Sequence, residues 1–169
     1  EEHTALVKEF MTSLKEETPS AEKKIRIVTS GILADSPSLL SILDDNGYQI
    51  VWDDVAVESR QYKVDAPEAE TALDSLAKKF CLMDNDTLLY DAEKNRVKMI
   101  VDQAKQYHAD GVIVVMTKFC DPEEFDYPLI YKACQAEEIP VLEVEVDRQM
   151  NNYEQARTLI ESFKEIAGN

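Results

Sequence analysis

The sequence predicts an α/β protein, a doubly wound three-layer sandwich built around a four-stranded parallel sheet. Residues 112–116 form an apolar run without polar alternation, and an Asp110-Gly111 turn precedes it. A short run of this kind, rich in β-branched residues, is typical of a strand that is buried on both faces, as in parallel sheets. Three further strand-like segments alternate with amphipathic helical segments, and this order favours right-handed crossovers within one sheet.

The first half of the chain contains two of the predicted strands. A helix is predicted between them. Ser36 is typical of the N-cap position, Pro37 of the first helical position and Gly47 of the residue that follows the end of a helix. The next helix is predicted to start at Pro67, because apolar residues follow it at close to ideal helical spacing. That stripe comprises Ala69, Ala72, Leu73, Leu76, Ala77 and Phe80. In order, the elements are a helix over 4–16, a strand over 25–30, the helix between Pro37 and Gly47, a strand over 49–52 and the helix from Pro67, followed by a loop over 81–91.

The second half supplies the other two strands. Because Pro128 would interrupt a helix that began at Asp121, the sequence predicts a turn after Asp121 and a helix that begins near Asp126. Apolar residues alternate with glutamate in the last strand, which indicates a half-exposed edge. The first and third strands are the most apolar and are therefore placed in the centre, giving the order 2-1-3-4. The elements are a helix over 92–108, a strand over 112–116, the helix from Asp126, a strand over 140–146 and a final helix capped by Asn152 with Gln155.

The composition indicates an acidic globular protein. The 169 residues carry a net charge of −16, which repels phosphate backbones and anionic lipids, so neither nucleic acid nor a membrane is an expected partner. No apolar run approaches the length that a bilayer requires. The prediction divides the chain into a leading helix and linker over 1–22 and a single α/β domain over 23–169. Three cysteines without CxxC spacing favour a reducing, cytoplasmic setting over a disulfide framework.

The carboxyl ends of the predicted strands are the expected location of a ligand site, as in other open parallel sheets. Ser30-Gly31, just before a capped helix, suits an anion held by backbone N–H groups, and it equally suits a tight turn. Asp53-Asp54 suits Mg²⁺, and it equally suits an ordinary polar strand end. The segment 58–62, which includes Ser59 and Arg60, mixes charge and aromatic character near the same edge.

Cys120 is the candidate metal ligand at that edge. Asp121 is predicted as an N-cap and Pro122 as the first helical residue, so the thiol lies beside a helix start that favours the thiolate, the form that binds metal. The alternative is an inert buried cysteine. Cys81 and Cys134 fall on the apolar sides of predicted helices and are interpreted as packing residues. The two histidines have no partners at zinc-ligand spacing.

Several phrases together resemble the 2-hydroxyacyl-CoA dehydratase family and its benzoyl-CoA reductase relatives. They are RIVTSGILADSPSLLSILDDNGYQIVWDD, ESRQY, ADGVI, KFCDPEEFDYP and IPVLEVEVD, of which FCDP after DGVI is the most specific. The resemblance runs from about Ile25 to the end of the chain. It implies an α/β domain from the carboxyl-terminal half of a longer subunit.

The resemblance also implies a cofactor and partners. Family subunits hold a 4Fe–4S cluster between two α/β domains, and the cysteine of the FCDP-like turn, here Cys120, is one ligand. The other ligands would come from an amino-terminal domain that this sequence does not include. The implied activity is the radical removal of water from an (R)-2-hydroxyacyl-CoA in anaerobic amino-acid fermentation, with a second dehydratase subunit and an ATP-dependent activator as partners. Ser30, Gly31, Ser59 and Arg60 are the candidate contacts to the acyl-CoA.

Two interpretations of function stay open at this point. In the first, the chain is the cluster-holding part of a radical dehydratase or reductase, inactive when isolated. In the second, it is a non-catalytic α/β binding module that has kept the fold and lost the site.

Overall fold

A computed structural model describes residues 2–16, 23–86, 88 and 91–168. The predicted linker over 17–22 and parts of the predicted loop over 81–91 lie outside the described residues. The helices and strands, in chain order, are α1 (Glu2–Glu16), β1 (Ile25–Gly31), α2 (Pro37–Asp45), β2 (Tyr48–Val55), a 3-10 turn (Ser59–Tyr62), α3 (Ala72–Leu82), α4 (Asn95–Gln106), β3 (Gly111–Thr117), α5 (Asp121–Ala136), β4 (Val141–Val146) and α6 (Glu154–Ala167).

The four strands form one parallel sheet in the order β2-β1-β3-β4. This confirms the predicted fold class and strand order. The two central strands approach each other closely at Gly31, where an added Cβ would lie 2.3 Å from the carbonyl oxygen of Val115. Only glycine fits at that point, because any side chain would collide with the backbone of β3.

Two apolar cores flank the sheet, one on each face. The side chains of β3 alternate between them: Ile113 and Val115 face the core under α2 and α6, and Val112, Val114 and Met116 face the core under α4 and α5. All five are almost fully buried, as predicted for a strand covered on both faces. The result is the three-layer arrangement that the sequence predicts.

The start of α5 differs from the prediction. The helix begins at Asp121 with Cys120 at the N-cap position, and it continues through Pro128 to Ala136. Pro128 has no N–H, so the carbonyl of Glu124 loses its usual helical hydrogen-bond donor. Both residues are exposed, and water can therefore bind that carbonyl. Burial of the inward face of the helix outweighs the missing hydrogen bond, and the predicted delay to Asp126 is wrong.

The third predicted helix begins later than expected and packs differently. It starts at Ala72 and not at Pro67, because the Thr71 hydroxyl accepts a hydrogen bond from the Asp74 N–H at 3.1 Å and so caps the helix. Every residue of α3 is exposed or partly exposed, including Cys81, so the prediction that Cys81 is a packing residue is wrong for this chain. Helical periodicity identified an apolar face but could not identify what covers it.

The leading helix agrees with the sequence, whereas the final helix has Tyr153 at its N-cap position, so the predicted cap by Asn152 with Gln155 is wrong. Residues 2–15 of α1 are all exposed, with an apolar stripe that includes Leu6, Phe10 and Leu14. At the start of α6 the Asn152 side chain accepts from the Glu154 N–H at 2.9 Å. Within the described part of the chain, no helix is both long enough and apolar enough to cross a membrane.

Candidate functional site at the carboxyl edge of the sheet

The turn that follows β3 places Cys120 at the carboxyl edge. The Cys120 N–H donates to the carbonyl of Thr117 at 3.1 Å, which closes the turn. Phe119 inside this turn has a φ of +63°, the left-handed region that favours glycine, and its side chain is 90% exposed. A bulky residue held in that region is strained, and such strain concentrates at functional sites.

A buried carboxylate fastens this turn to the sheet. Glu123, in the first turn of α5, is 2% exposed, and its Oε2 accepts from the Thr117 N–H at 2.9 Å. Burial raises the pKa of the Glu123 carboxyl, and the hydrogen bond from Thr117 partly opposes that rise. The contact fixes the beginning of α5, and with it Cys120, relative to the end of β3.

Cys120 is a thiol in the metal-free protein. Burial raises the pKa of its thiol, the carboxylates of Glu123 and Asp121 add to the rise, and a hydrogen bond from the Glu123 N–H opposes it. The surroundings of Cys120 therefore do not favour the predicted thiolate in the absence of metal, because burial, with a smaller contribution from two carboxylates, raises the pKa of the thiol. A metal that binds here must displace a proton.

A second cluster of buried charges lies at the ends of β1 and β2 and is centred on Asp54. This residue is fully buried, and its carboxylate accepts from Arg60 at 2.6 Å, Arg96 at 3.0 Å and Lys63 at 3.3 Å. Burial alone would raise the pKa of Asp54, but the three cations together lower it below its ordinary value. Asp54 is thus held as an anion, engaged by three cationic side chains.

Two of the predicted substrate residues belong to this cluster. Ser30, also fully buried, accepts from Arg96 Nη2 at 2.8 Å. Arg60, 4% exposed, also bonds to Asp86 and to the carbonyls of Asp84 and Asn85, and its Nε has no hydrogen-bond partner among the described residues. The structure therefore brings Ser30 and Arg60 together around Asp54.

The other two predicted substrate residues lie nearby but outside the cluster. Ser59 donates to Asp53 Oδ1 at 2.6 Å, which fastens the 3-10 turn to the end of β2. Gly31, the last residue of β1, is buried between β2 and β3, and its carbonyl accepts from the Ala56 N–H at 3.0 Å. All four residues thus lie at the carboxyl edge, and direct contact with a substrate stays a prediction for each.

Arg96 and Asp126 are site residues that the sequence reasoning missed. Arg96 Nη1 lies 3.5 Å from Asp126 Oδ2, and Lys94 reaches Asp126 at 2.6 Å, so the Asp54 cluster extends to α5. A signal was present, since Arg96 lies four residues before Ile100 and Asp126 four residues before Ile130, in line with the apolar faces of their helices. A charged residue at a core-facing position predicts a buried partner.

A cleft of about 700 Å³ opens at the carboxyl ends of β1 and β4. Its lining combines apolar side chains, such as Ile32 and Tyr153, with the charged side chains of Asp35, Asp147 and Arg148. The volume falls within the range of small-molecule sites.

The cysteines of this chain supply only part of what an iron–sulfur cluster requires. A 4Fe–4S cluster is held by cysteine thiolates, usually four. Cys120 is partly exposed at the sheet edge, Cys134 is buried in the core under α5, and Cys81 is exposed on α3. Among the described residues, no group of three or more His, Cys, Asp or Glu side chains could hold a metal ion. Cys120 could therefore supply one ligand to such a cluster, and the other ligands would have to come from outside the described residues.

Comparison with known proteins assigns the family. A family model described as 2-hydroxyglutaryl-CoA dehydratase, D-component, matches residues 1–167. The chain belongs to this dehydratase family. Its match to the family model covers nearly all of its length, which confirms the resemblance found in the sequence.

Comparisons with individual proteins support the same family assignment. The chain is 49% identical over 164 residues to the (R)-phenyllactyl-CoA dehydratase beta subunit of Clostridium sporogenes, covering 97% of the chain and 44% of the relative. It is 42% identical over 144 residues to the (R)-2-hydroxyglutaryl-CoA dehydratase, subunit beta, of Acidaminococcus fermentans, covering 83% and 38%. A benzoyl-CoA reductase subunit of Thauera aromatica is 24% identical, covering 97% and 45%. The chain thus spans less than half the length of these curated relatives.

Proposed function

We propose that this chain is the part of a 2-hydroxyacyl-CoA dehydratase subunit that supplies one ligand, Cys120, to a 4Fe–4S cluster. The observation that carries the proposal is the position of Cys120. It lies partly exposed at the carboxyl edge of a parallel sheet, in a turn closed by backbone hydrogen bonds and fastened by buried Glu123. The remaining cysteine ligands would come from an amino-terminal domain of the full subunit.

The proposed reaction is the removal of water from an (R)-2-hydroxyacyl-CoA to give an enoyl-CoA. When bound, the cluster would deliver one electron, received from an ATP-dependent activator, to make this elimination possible. The protein's own residues hold the site: Glu123 positions the Cys120 turn, and the buried cluster around Asp54 positions the adjacent ends of β1 and β2. The proposed enzyme also includes a second dehydratase subunit.

The acyl-CoA is proposed to bind along the same carboxyl edge. Because Ser30 and Arg60 are buried and engaged with Asp54, their role in the proposal is to hold this edge in place. The cleft beside β1 and β4 offers apolar walls for the acyl chain, and the exposed Arg148 is the cation among its lining residues, beside the carboxylates of Asp35 and Asp147.

The test is Cys120→Ser in the full-length subunit, assembled with its partner and purified without oxygen. We expect loss or conversion of the cluster, measured by iron and acid-labile sulfide content and by electron paramagnetic resonance, together with loss of dehydration. Cys81→Ser, the same change at an exposed cysteine outside the sheet edge, is the control and should retain the wild-type iron content. Normal iron content and turnover in Cys120→Ser would refute the assignment.

A further inference from the structure

Helix α3 presents an apolar face that no described residue covers. Leu73, Leu76 and Phe80 lie on one side of the helix at i, i+3 and i+7 and are 76%, 60% and 70% exposed. Leu82, at the end of the helix, is also exposed. Large apolar side chains exposed next to one another, as Leu73, Leu76 and Phe80 are, are characteristic of an interaction surface.

The polar side of the same helix is tied to the domain. Ser75 Oγ donates to the Pro67 carbonyl at 2.6 Å, and Lys79 Nζ donates to the Gln61 carbonyl at 2.9 Å. These contacts involve the polar side of the helix and leave its apolar residues exposed. An isolated helix of 11 residues is marginal in water, and packing of its apolar face is the usual source of its stability.

We propose that the apolar face of α3 docks against the other part of its own subunit, the polypeptide that lies outside this chain. The relatives are more than twice as long as the aligned region, so more than half of such a subunit is available to cover α3. The face offers three large exposed apolar side chains, whereas a stable interface between separate molecules uses about 20–30 residues a side. Within one chain the tether supplies a high effective concentration, and a small apolar contact is then sufficient.

The experiment is amide hydrogen exchange on the full-length subunit, prepared without iron and without its partner subunit. We expect the amides of α3 to exchange roughly 100-fold or more slowly than those of an unstructured peptide, at every protein concentration tested. Leu76→Glu combined with Phe80→Glu should bring α3 close to the unprotected rate, while the amides of β1 and β3 stay protected. Glutamate is a good helix former, and both side chains are exposed in this chain, so the fold of the sheet is preserved.

The matched control is Ile166→Glu on α6, an apolar residue that is 64% exposed on another surface. It should leave the exchange of α3 unchanged. Protection that appears only when the second subunit is added would assign the face to that subunit and overturn the proposal. Protection that rises with concentration, together with a doubled mass, would assign it to a second copy, and unprotected amides under all conditions would show that nothing covers it. Because iron-free protein is used, the result is independent of whether Cys120 binds a cluster.

Discussion

The guanidinium of Arg96 donates from Nε to Oδ2 of Asp54 at 3.0 Å, and both side chains are buried. The two residues are 42 positions apart in sequence, one on α4 and the other near the end of β2. Arg96 also meets Asp126 on α5, so a single side chain connects the end of β2 to the helix that begins beside Cys120. The carboxyl edge is therefore held by charge as well as by apolar packing.

Removal of the central carboxylate should be strongly destabilising. We expect Asp54→Asn to lower the free energy of unfolding by about 3–5 kcal/mol, because it removes the fully buried anion that the buried cations Arg60 and Arg96 share. Urea unfolding of the 169-residue chain measures this. Asp102→Asn is the control, since Asp102 pairs with Lys98 on the surface of α4, where the loss should be at most about 0.5 kcal/mol. Equal effects of the two substitutions would contradict the interpretation.

The same cluster should make the protein sensitive to acid. The pKa of Asp54 in the folded protein is below its ordinary value of 3.8, so unfolding at low pH takes up a proton at this site. Its contribution to stability is complete above the unfolded-state pKa and is lost as the pH falls through the lower, folded-state value. Urea midpoints at pH 6 and pH 3 should therefore differ less in Asp54→Asn than in the wild type. A pH dependence identical to that of the wild type would refute this role.

The strained turn before Cys120 offers a stabilising substitution. Phe119→Gly should raise the stability of the iron-free chain by up to about 1 kcal/mol, because glycine adopts the left-handed region without steric cost and the exposed side chain loses no packing. Phe125→Gly, at an exposed position inside α5, should instead lower it by about 1 kcal/mol. The melting temperatures of the two variants, each compared with that of the wild type, test both expectations. A loss of stability in Phe119→Gly would show that the ring has a structural contact.

The two remaining cysteines should respond differently to truncation. Cys134 is fully buried under α5, and alanine there should cost roughly 1 kcal/mol or slightly more in the 169-residue chain. Cys81 is exposed, and alanine there should change stability by less than about 0.5 kcal/mol. Denaturant unfolding of both variants makes the comparison, and in the full-length subunit both should keep the cluster.

The isolated 169-residue chain should fold without iron and remain inactive. Two apolar cores flank its sheet, so folding does not depend on a metal as it does in small zinc domains. Anaerobic reconstitution with iron and sulfide, then gel filtration, metal analysis and melting, should give a cooperative transition with little bound iron. About four irons per chain after gel filtration, or turnover with the activator alone, would mean that the site is complete within these residues.

The sheet was predictable from the sequence because its pattern is local. The run over 112–116 identified β3, and the greater apolarity of the first and third strands placed them in the centre. The path of α5 was not predictable from the proline rule, because the cost of Pro128 is offset by burial of residues such as Ile130 that only the packed structure reveals.

The candidate site was predictable in position but not in chemistry. The rule for open parallel sheets located Cys120, Ser30 and Arg60 at the same edge. It did not show that Arg60 is engaged with Asp54, because their pairing depends on the conformation of the 3-10 turn. The prediction that Cys120 is a thiolate failed for a related reason. Burial of the thiol and the nearby Glu123 carboxylate raise its pKa, and both depend on how α5 packs against the end of β3.

The position of β3 in the sheet has a consequence for synthesis on the ribosome. β1 can pair with β2 once Val55 has emerged, but its other edge stays open until β3, which ends at Thr117, is made 62 residues later. At roughly 5–20 residues per second this interval lasts about 3–12 s. During that time a nascent chain exposes an unpaired strand edge of the kind that templates aggregation. A chaperone that binds strands as they emerge from the ribosome should therefore increase the yield of this protein more than a chaperone that acts after the chain is released.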